Sequence, residues 1–261
     1  MTRRRIDALL AERGLAGSRT SAADSIRAGR VRIGRDGPVA LKPSQLVADD
    51  AELLVSEAPK FVSRGGIKLE NALDALAIDV AGLDCLDVGA STGGFTDCLL
   101  QRGAARVIAL DVARGQLDWR LRNDPRVEVI ERRNARDLDP AELPFVPALA
   151  TIDVSFISLR QVIPAVARCV PADGWILAMI KPQFELGPRR VGKGGVVRDA
   201  ADRREALLSV ARAAEDAGLA AVGFASSGLP GPKGNRETFV QLAREGEPLA
   251  DLEAAVQVVE P

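Results

Sequence analysis

Asp84-Cys85-Leu86-Asp87-Val88-Gly89-Ala90-Ser91-Thr92-Gly93-Gly94-Phe95-Thr96 runs from an apolar strand into a glycine-rich turn and on into a helix predicted over 95–102 and closed by Gly103. Glycine lets a backbone approach a ligand closely, and a helix N-terminus offers free N–H donors, so this order suits a nucleotide-type cofactor. The glycines stand at 89, 93 and 94, which is not the GxGxxG spacing usual in a nicotinamide dehydrogenase. Downstream, Arg106–Asp111 reads as a strand ending in an acid 22 positions after Gly89, where a carboxylate can take the two ribose hydroxyls of an adenosine. A third strand, Val127–Ile130, precedes Asn134-Ala135-Arg136-Asp137 and puts Asp137 near an adenine amino group. Strands at 148–153, 174–181, 221–225 and 237–242 alternate with helices at 158–169 and 200–217. That pattern predicts an α/β fold with a doubly wound sheet, its ligands outside the carboxyl ends of the strands.

Composition narrows the chemistry. With 261 residues and 47% hydrophobic content the chain can bury a real core in one large or two modest domains. It has no histidine, which removes imidazole bases, Ser-His-Asp and Cys-His nucleophile systems and His-ligated metals. Cys85, Cys98 and Cys169 show no CxxC spacing, so neither a zinc site nor a disulfide framework is indicated, and they read as buried thiols in a reducing cytoplasm. No apolar run is long enough to span a membrane, and the start of the chain lacks the apolar segment of a signal peptide. The expectation is a cytoplasmic protein without membrane or metal.

The net charge of −1 argues at first against a polyanionic partner, yet it is unevenly spread. Residues 1–48 carry nine Arg and Lys42 against four acids, or +6, leaving −7 over the remainder. A basic binding module joined to an acidic one has this asymmetry. Within it, Ile6, Leu9 and Leu10 before Gly14, and Ser18 to Ala28 before Gly29, read as two short helices. Val31–Val39 reads as a hairpin around a glycine-rich turn, with further strand at Leu46 and Leu53–Val55. Pro59 marks a junction near residue 60.

Arg5-Ile6-Asp7, Leu9-Leu10, Ser18-Arg19, Ala22, Ile26, Gly29, Val31, Ile33 and Leu41-Lys42-Pro43-Ser44 together resemble the S4-like RNA-binding domain, over about the first 58 residues. Arginine forks on a helix and the following hairpin suit phosphate recognition. The loop Asp87-x-Gly89-x-x-x-Gly93 with Asp111 looks like the S-adenosylmethionine site of class I methyltransferases.

Four charged residues stand within or at the ends of apolar elements, where charge is expensive: Lys68, Asp153, Lys181 and Glu237. They resemble the Lys-Asp-Lys-Glu tetrad of FtsJ/RrmJ-type ribose 2′-O-methyltransferases. Val62-Ser63-Arg64-Gly65-Gly66-x-Lys68-Leu69, the 87–96 loop, Asp153-Val154-Ser155-Phe156-Ile157-Ser158, Lys181-Pro182-Gln183-Phe184-Glu185 and Gly234-Asn235-Arg236-Glu237 extend the likeness to nearly the whole chain. That likeness is to the TlyA-type, or haemolysin A, family of rRNA methyltransferases.

The resemblance implies a Rossmann-like methyltransferase sheet with a small N-terminal α+β S4-like domain. It divides the chain into an S4-like domain at 1–58, a linker at 59–64, a methyltransferase domain at 65–247 and a C-terminal tail at 248–261. It implies methylation of a ribose 2′-hydroxyl, on cytidine in ribosomal RNA of both subunits, by a monomer using S-adenosylmethionine. Asp87, Gly89, Ala90, Ser91, Thr92, Gly93, Asp111, Asp137 and Phe156 would hold the cofactor. Arg5, Arg19, Arg30, Lys42, Arg64, Arg136 and Arg189 would hold RNA. A ribose hydroxyl needs activation, and without histidine the base falls to lysine; desolvation and the neighbouring Lys68 cation would help Lys181 shed its proton. A charged Lys181 stabilising the developing alkoxide serves equally well. Asp153 and Glu237 would orient Lys181 and the hydroxyl. Two other readings stand beside this one, a non-catalytic RNA- or ribosome-binding protein and a pore-forming haemolysin; the unbroken tetrad speaks against the first and the lack of a membrane segment against the second.

Overall fold

In the computed structural model, which describes residues 2–192 and 194–261, the chain divides after Lys60 into two compact units. Lys193, one of the cations in the glycine-rich loop noted in the sequence, lies outside the described residues, as does Met1.

The first unit starts with β1 (Arg3–Arg5), which runs directly into helix α1 (Ile6–Glu12). Ser18 accepts a hydrogen bond from the Ser21 backbone N–H and so caps α2 (Arg19–Arg27). Three short strands follow, β2 (Val31–Ile33), β3 (Leu46–Ala48) and β4 (Leu53–Val55). Ile6, Leu9, Leu10, Ala22, Ile26, Val31, Val47 and Leu53 are buried together beneath them. The expected hairpin is only partly formed. Ile33 and Ala40 donate to Pro38 and Val31 carbonyls, but 31–39 holds a single bridge, Arg32 to Val39, and β2 pairs instead with β4. Pro38 cannot donate to a ladder, so the return strand stops short. Arg3–Arg5, which had no strand signal, pairs antiparallel with β3.

The second unit opens with α3 (Arg64–Ala75), then β5 (Asp84–Val88), α4 (Gly94–Gln101), β6 (Arg106–Asp111), α5 (Trp119–Arg122) and β7 (Val127–Glu131). It continues with β8 (Leu149–Ile152), α6 (Leu159–Cys169), β9 (Trp175–Ile180), α7 (Pro182–Glu185), α8 (Ala200–Glu215), β10 (Ala220–Ser226), β11 (Thr238–Ala243) and α9 (Leu252–Val259). The sheet order is β10-β11-β9-β8-β5-β6-β7. Strands β5 to β9 are parallel, and the order reverses between β5 and β8. Ligands in such sheets bind where the order reverses, outside the carboxyl ends. β11 runs antiparallel to both β9 and β10, because residues 227–237 make a loop too short for a crossover helix.

Side-chain alternation along β5 splits the core. Leu86 and Val88 face the layer of α6 and α8, whereas Cys85 faces the layer of α3 and α4. Each fully buried Leu or Ile contributes about 1.5–3 kcal/mol, so this two-sided packing holds the strand ends rigidly. Residues 248–261, expected as a tail, instead contain α9, which packs on α8 and β10 and buries Val256 and Glu260. The spacing Leu252, Val256, Val259 was the signal for it. Among the described residues no helix is long and apolar enough to cross a membrane, and no cluster of His, Cys, Asp or Glu could hold a metal ion.

Candidate active site

β5 ends in the turn that begins at Gly89. There φ is +88°, and a Cβ would lie 2.4 Å from the Asp153 carbonyl oxygen, so only glycine lets this turn and the one after β8 approach so closely. Ser91 stands at the lip with φ +49°, its N–H donating to Asp111 Oδ2 at 2.7 Å. Asp111 Oδ1 accepts from the Ala113 N–H, also at 2.7 Å, so the carboxylate at the end of β6 is fixed between two turns. A cavity of about 620 Å³ opens here, lined by Gly89, Ser91, Asp111, Asn134, Arg136 and Phe156 among others.

A second cavity, about 820 Å³, shares Gly89, Ser91, Asp153, Ser155 and Phe156 with the first and is also lined by Ala90, Thr92, Arg64, Lys68, Lys181 and Glu237. The four charged residues of the expected tetrad therefore face one space. They sort into two ion pairs. Lys68 Nζ is hydrogen-bonded to Glu237 Oε2, with side chains 9% and 2% exposed. Lys181 Nζ lies 2.5 Å from Asp153 Oδ1 and donates to Ser155 Oγ at 3.0 Å. Asp153 Oδ1 is buried and receives no aligned hydrogen bond, so its contact with Lys181 is an ion pair with poor hydrogen-bond geometry. Lys68 and Glu237, expected to act on Lys181 as a neighbouring cation and an orienting carboxylate, are paired with each other, so each lysine has its own carboxylate. Ser155 was missed because a serine after a strand carries no signal of its own.

Three expected cofactor residues sit elsewhere. Asp87 is fully buried beneath the loop and accepts hydrogen bonds from the Thr96 N–H at 2.9 Å and Thr96 Oγ1 at 2.7 Å, tying β5 to the start of α4. Burial pushes its carboxyl up to about 7, against the opposing pull of those hydrogen bonds. Gly93 caps α4 with φ +97°, and a Cβ there would meet the Leu121 side chain at 2.3 Å, so it serves packing against α5. The Asp137 side chain is exposed and lies 3.5 Å from Arg136 Nε, because the 3-10 turn at Ala135–Asp137 carries it outward; Asn134, Ala135 and Arg136 line the cavity in its place.

Phe156 is 92% exposed with φ +64°, and its ring lies 5.3 Å from Phe184 at the rim of both cavities. Below it, Glu185 accepts from Ser158 Oγ and from the Leu159 N–H at 2.8 Å, clamping the turn after β8 to the turn after β9. Burial raises the Glu185 carboxyl from its ordinary value, partly offset by those two donors.

The expected RNA contacts divide between the units. Arg64 donates to the Pro230 carbonyl at 2.6 Å and lines the larger cavity, Arg136 lines the smaller, and Arg189 is exposed in the turn at Pro188–Arg190. In the first unit, Arg5 donates through Nε and Nη2 to Asp7, and Arg19 Nη2 reaches the same carboxylate at 3.4 Å. The Asp7 side chain is 6% exposed, and hydrogen bonding from Arg5 holds its carboxyl below the usual range. Arg30 is braced by Ser25 Oγ at 3.0 Å, and Lys42 is exposed.

A carboxylate at the end of β6, a glycine cradle and a second carboxylate, Asp153, beside that cradle fit an adenosine diol and a cationic sulfur centre. Residues 61–244 match the FtsJ-like methyltransferase family. Over 242 residues the chain is 52% identical to the 16S/23S rRNA (cytidine-2′-O)-methyltransferase TlyA of Mycobacterium tuberculosis, covering 92% of this chain and 90% of that one. It is 39% identical over 234 residues to hemolysin A of Brachyspira hyodysenteriae, covering 89% and 97%. A solved structure of a provisionally named hemolysin from Streptococcus thermophilus superposes with a TM-score of 0.73 at 37% identity, covering 99% of this chain and 96% of that one.

Proposed function

The chain belongs to the FtsJ-like methyltransferase family, in its TlyA-type branch, and on that premise we propose that it methylates the ribose 2′-hydroxyl of cytidine in ribosomal RNA, using S-adenosylmethionine. The observation that carries this reading is the convergence of Lys68, Asp153, Lys181 and Glu237 on one cavity, floored by the same Gly89–Thr92 loop that borders the adenosine-sized space.

S-adenosylmethionine, when bound, supplies an electrophilic methyl carbon. Asp111 would take the ribose diol, Asn134 and Arg136 would border the base, and Gly89 to Thr92 would run under the chain joining ribose to sulfur. Asp153, which lines both cavities and is paired with Lys181, would bring its negative charge beside the positive sulfur. Next to Asp153, Lys181 Nζ, held by Asp153 and Ser155, is the group that would meet the attacking hydroxyl. It either takes the hydroxyl proton or holds the oxygen's developing charge. Lys68 and Glu237, paired on the lining of the same cavity, would together present an ammonium and a carboxylate to the ribose.

The first unit supports an RNA partner through its own geometry. Asp7 holds two arginine side chains side by side while leaving 48% of Arg5 and 60% of Arg19 exposed, an arrangement suited to phosphate oxygens. We read this unit, residues 1–58, as the S4-like module, and residues 65–247 as the methyltransferase module joined to it at 59–64. The 248–261 segment that follows packs onto this second module through α9.

The test is incubation with methyl-labelled S-adenosylmethionine and, in parallel, small subunits, large subunits, naked rRNA and a target bearing a 2′-deoxycytidine. Label is expected in ribose of the RNA or subunits and absent from the deoxy target. Label transfer to the deoxy target would rule out ribose methylation.

A further inference from the structure

Two irregular loops form the wall of the larger cavity on the side of Glu237, and both are rich in glycine. Gly194 and Gly195 have φ of +85° and +79°, and Gly234 has φ of +92°. Such backbone has many alternatives in solution, so a fixed wall requires cross-links that offset the entropy of ordering it. Asn235, 3% exposed, supplies the first: its Oδ1 accepts from the Val197 N–H at 2.9 Å and its Nδ2 donates to the Gly195 carbonyl at 2.7 Å. Its own carbonyl accepts from the Gly231 N–H at 2.8 Å.

The second cross-link comes from the far end of the chain. Glu260 is 2% exposed just beyond α9, and its Oε1 receives three contacts from two arginines. Arg203 on α8 donates to it through Nε at 2.8 Å, with Nη2 at 2.6 Å, and Arg236 Nη1 reaches it at 3.2 Å. The remaining Arg203 nitrogen, Nη1, donates to the Arg198 carbonyl at 2.6 Å and to the Val197 carbonyl at 3.4 Å. One carboxylate thus holds Arg236, the residue before Glu237, and Arg203, which holds the 195–198 loop. A bond network serving only the core would end on core groups; this one ends on the loop carbonyls and on the neighbour of a cavity residue.

We propose that Glu260 is a positioning residue for the RNA-facing wall, fixing both loops through Arg203 and Arg236 so that the target strand meets a preformed surface beside Glu237. The inference rests on the reading of the cavity as an RNA ribose methylation site. The turns read as holding the cofactor border the smaller cavity, which neither of these two loops lines, so the device acts on RNA engagement and leaves cofactor affinity alone.

The experiment compares Glu260→Gln and Arg236→Met with the unaltered protein, reading KM for rRNA, kcat, the S-adenosylmethionine Kd by calorimetry and Tm. Both variants are expected to raise the RNA KM roughly three- to tenfold, with kcat and the cofactor Kd within about twofold, and Glu260→Asp to recover part of the loss. Arg236 is 63% exposed, so its variant tests the proposal even if loss of the buried Glu260 charge prevents folding. An unchanged RNA KM in folded Glu260→Gln overturns it, as does a KM effect confined to Arg236→Met, which would mark a direct phosphate contact. Losses of kcat and cofactor affinity in step with Tm would equally overturn it in favour of a purely structural role. If the unaltered protein transfers no methyl group to any RNA, it is the underlying functional reading that fails.

Discussion

Lys68 and Glu237, 169 positions apart in sequence, meet in a buried ion pair on the cavity wall, separate from the pair formed by Lys181 and Asp153. Deleting one member of a buried pair leaves the other charge stranded, at a cost of about 3–5 kcal/mol. Lys68→Met and Glu237→Gln are therefore each expected to lower Tm as well as turnover. The double variant removes both charges and is expected to regain much of the lost Tm while turnover stays about a hundredfold or more below normal. Thermal melts and single-turnover methylation on the same preparations separate the two effects; recovery of turnover in the double variant would assign the pair to stability alone.

Lys181 is the second lever. Lys181→Ala is expected to cut the methyl-transfer rate by about a hundredfold to ten-thousandfold, with cofactor affinity by calorimetry retained, because its partners Asp153 and Ser155 both come from the turn after β8. Lys181→Arg then distinguishes the two roles open to the ammonium. Arginine keeps the charge but does not accept a proton in water, so residual rate well above that of the alanine variant identifies charge stabilisation of the alkoxide, and equal loss identifies a base.

Asp111 fixes the turns on either side of it through the N–H groups of Ser91 and Ala113. Asp111→Ala is expected to weaken S-adenosylmethionine binding about tenfold or more, the loss of hydrogen bonds to a charged acceptor, with little change in rate at saturating cofactor. Equilibrium titration against single-turnover rate checks the split. A variant that binds normally would remove Asp111 from the cofactor site.

The parts legible in the sequence are those set by local chemistry. The strand, glycine turn and helix around Gly89 show themselves by period and by residue type, and Asp111 shows itself by ending the next strand. The four tetrad residues stood out as charge in apolar surroundings, but their pairing depends on which strand ends meet across the sheet, which spacing along the chain does not encode. Asp87 was assigned to the cofactor although alternation places it on the same side of β5 as Cys85, toward α4. Alternation gives the face, but the partner on it, Thr96, is set by how α4 packs on β5. Asn235 lies in a stretch that carries the family likeness, but its link through the 195–198 loop to Arg203 and Glu260 is not legible in the sequence, because Arg203 and Glu260 are ordinary polar residues until the fold brings them together.

The burial of Asp87 has a consequence for stability. Its folded-state carboxyl titrates near 7, chiefly through desolvation, whereas an unfolded aspartate titrates near its ordinary value of 3.8. The folded protein therefore holds a proton that the unfolded chain releases. The stabilising contribution is full below the unfolded value and disappears as pH rises through about 7. Urea unfolding at pH 5 and pH 8 is expected to show lower stability at pH 8, by a few kcal/mol at most. Asp87→Asn carries no titrating group, so that component of the pH dependence should vanish from its unfolding curves, at the cost of a weaker bond to Thr96. A variant with the same pH profile as the unaltered protein would place the titrating group elsewhere.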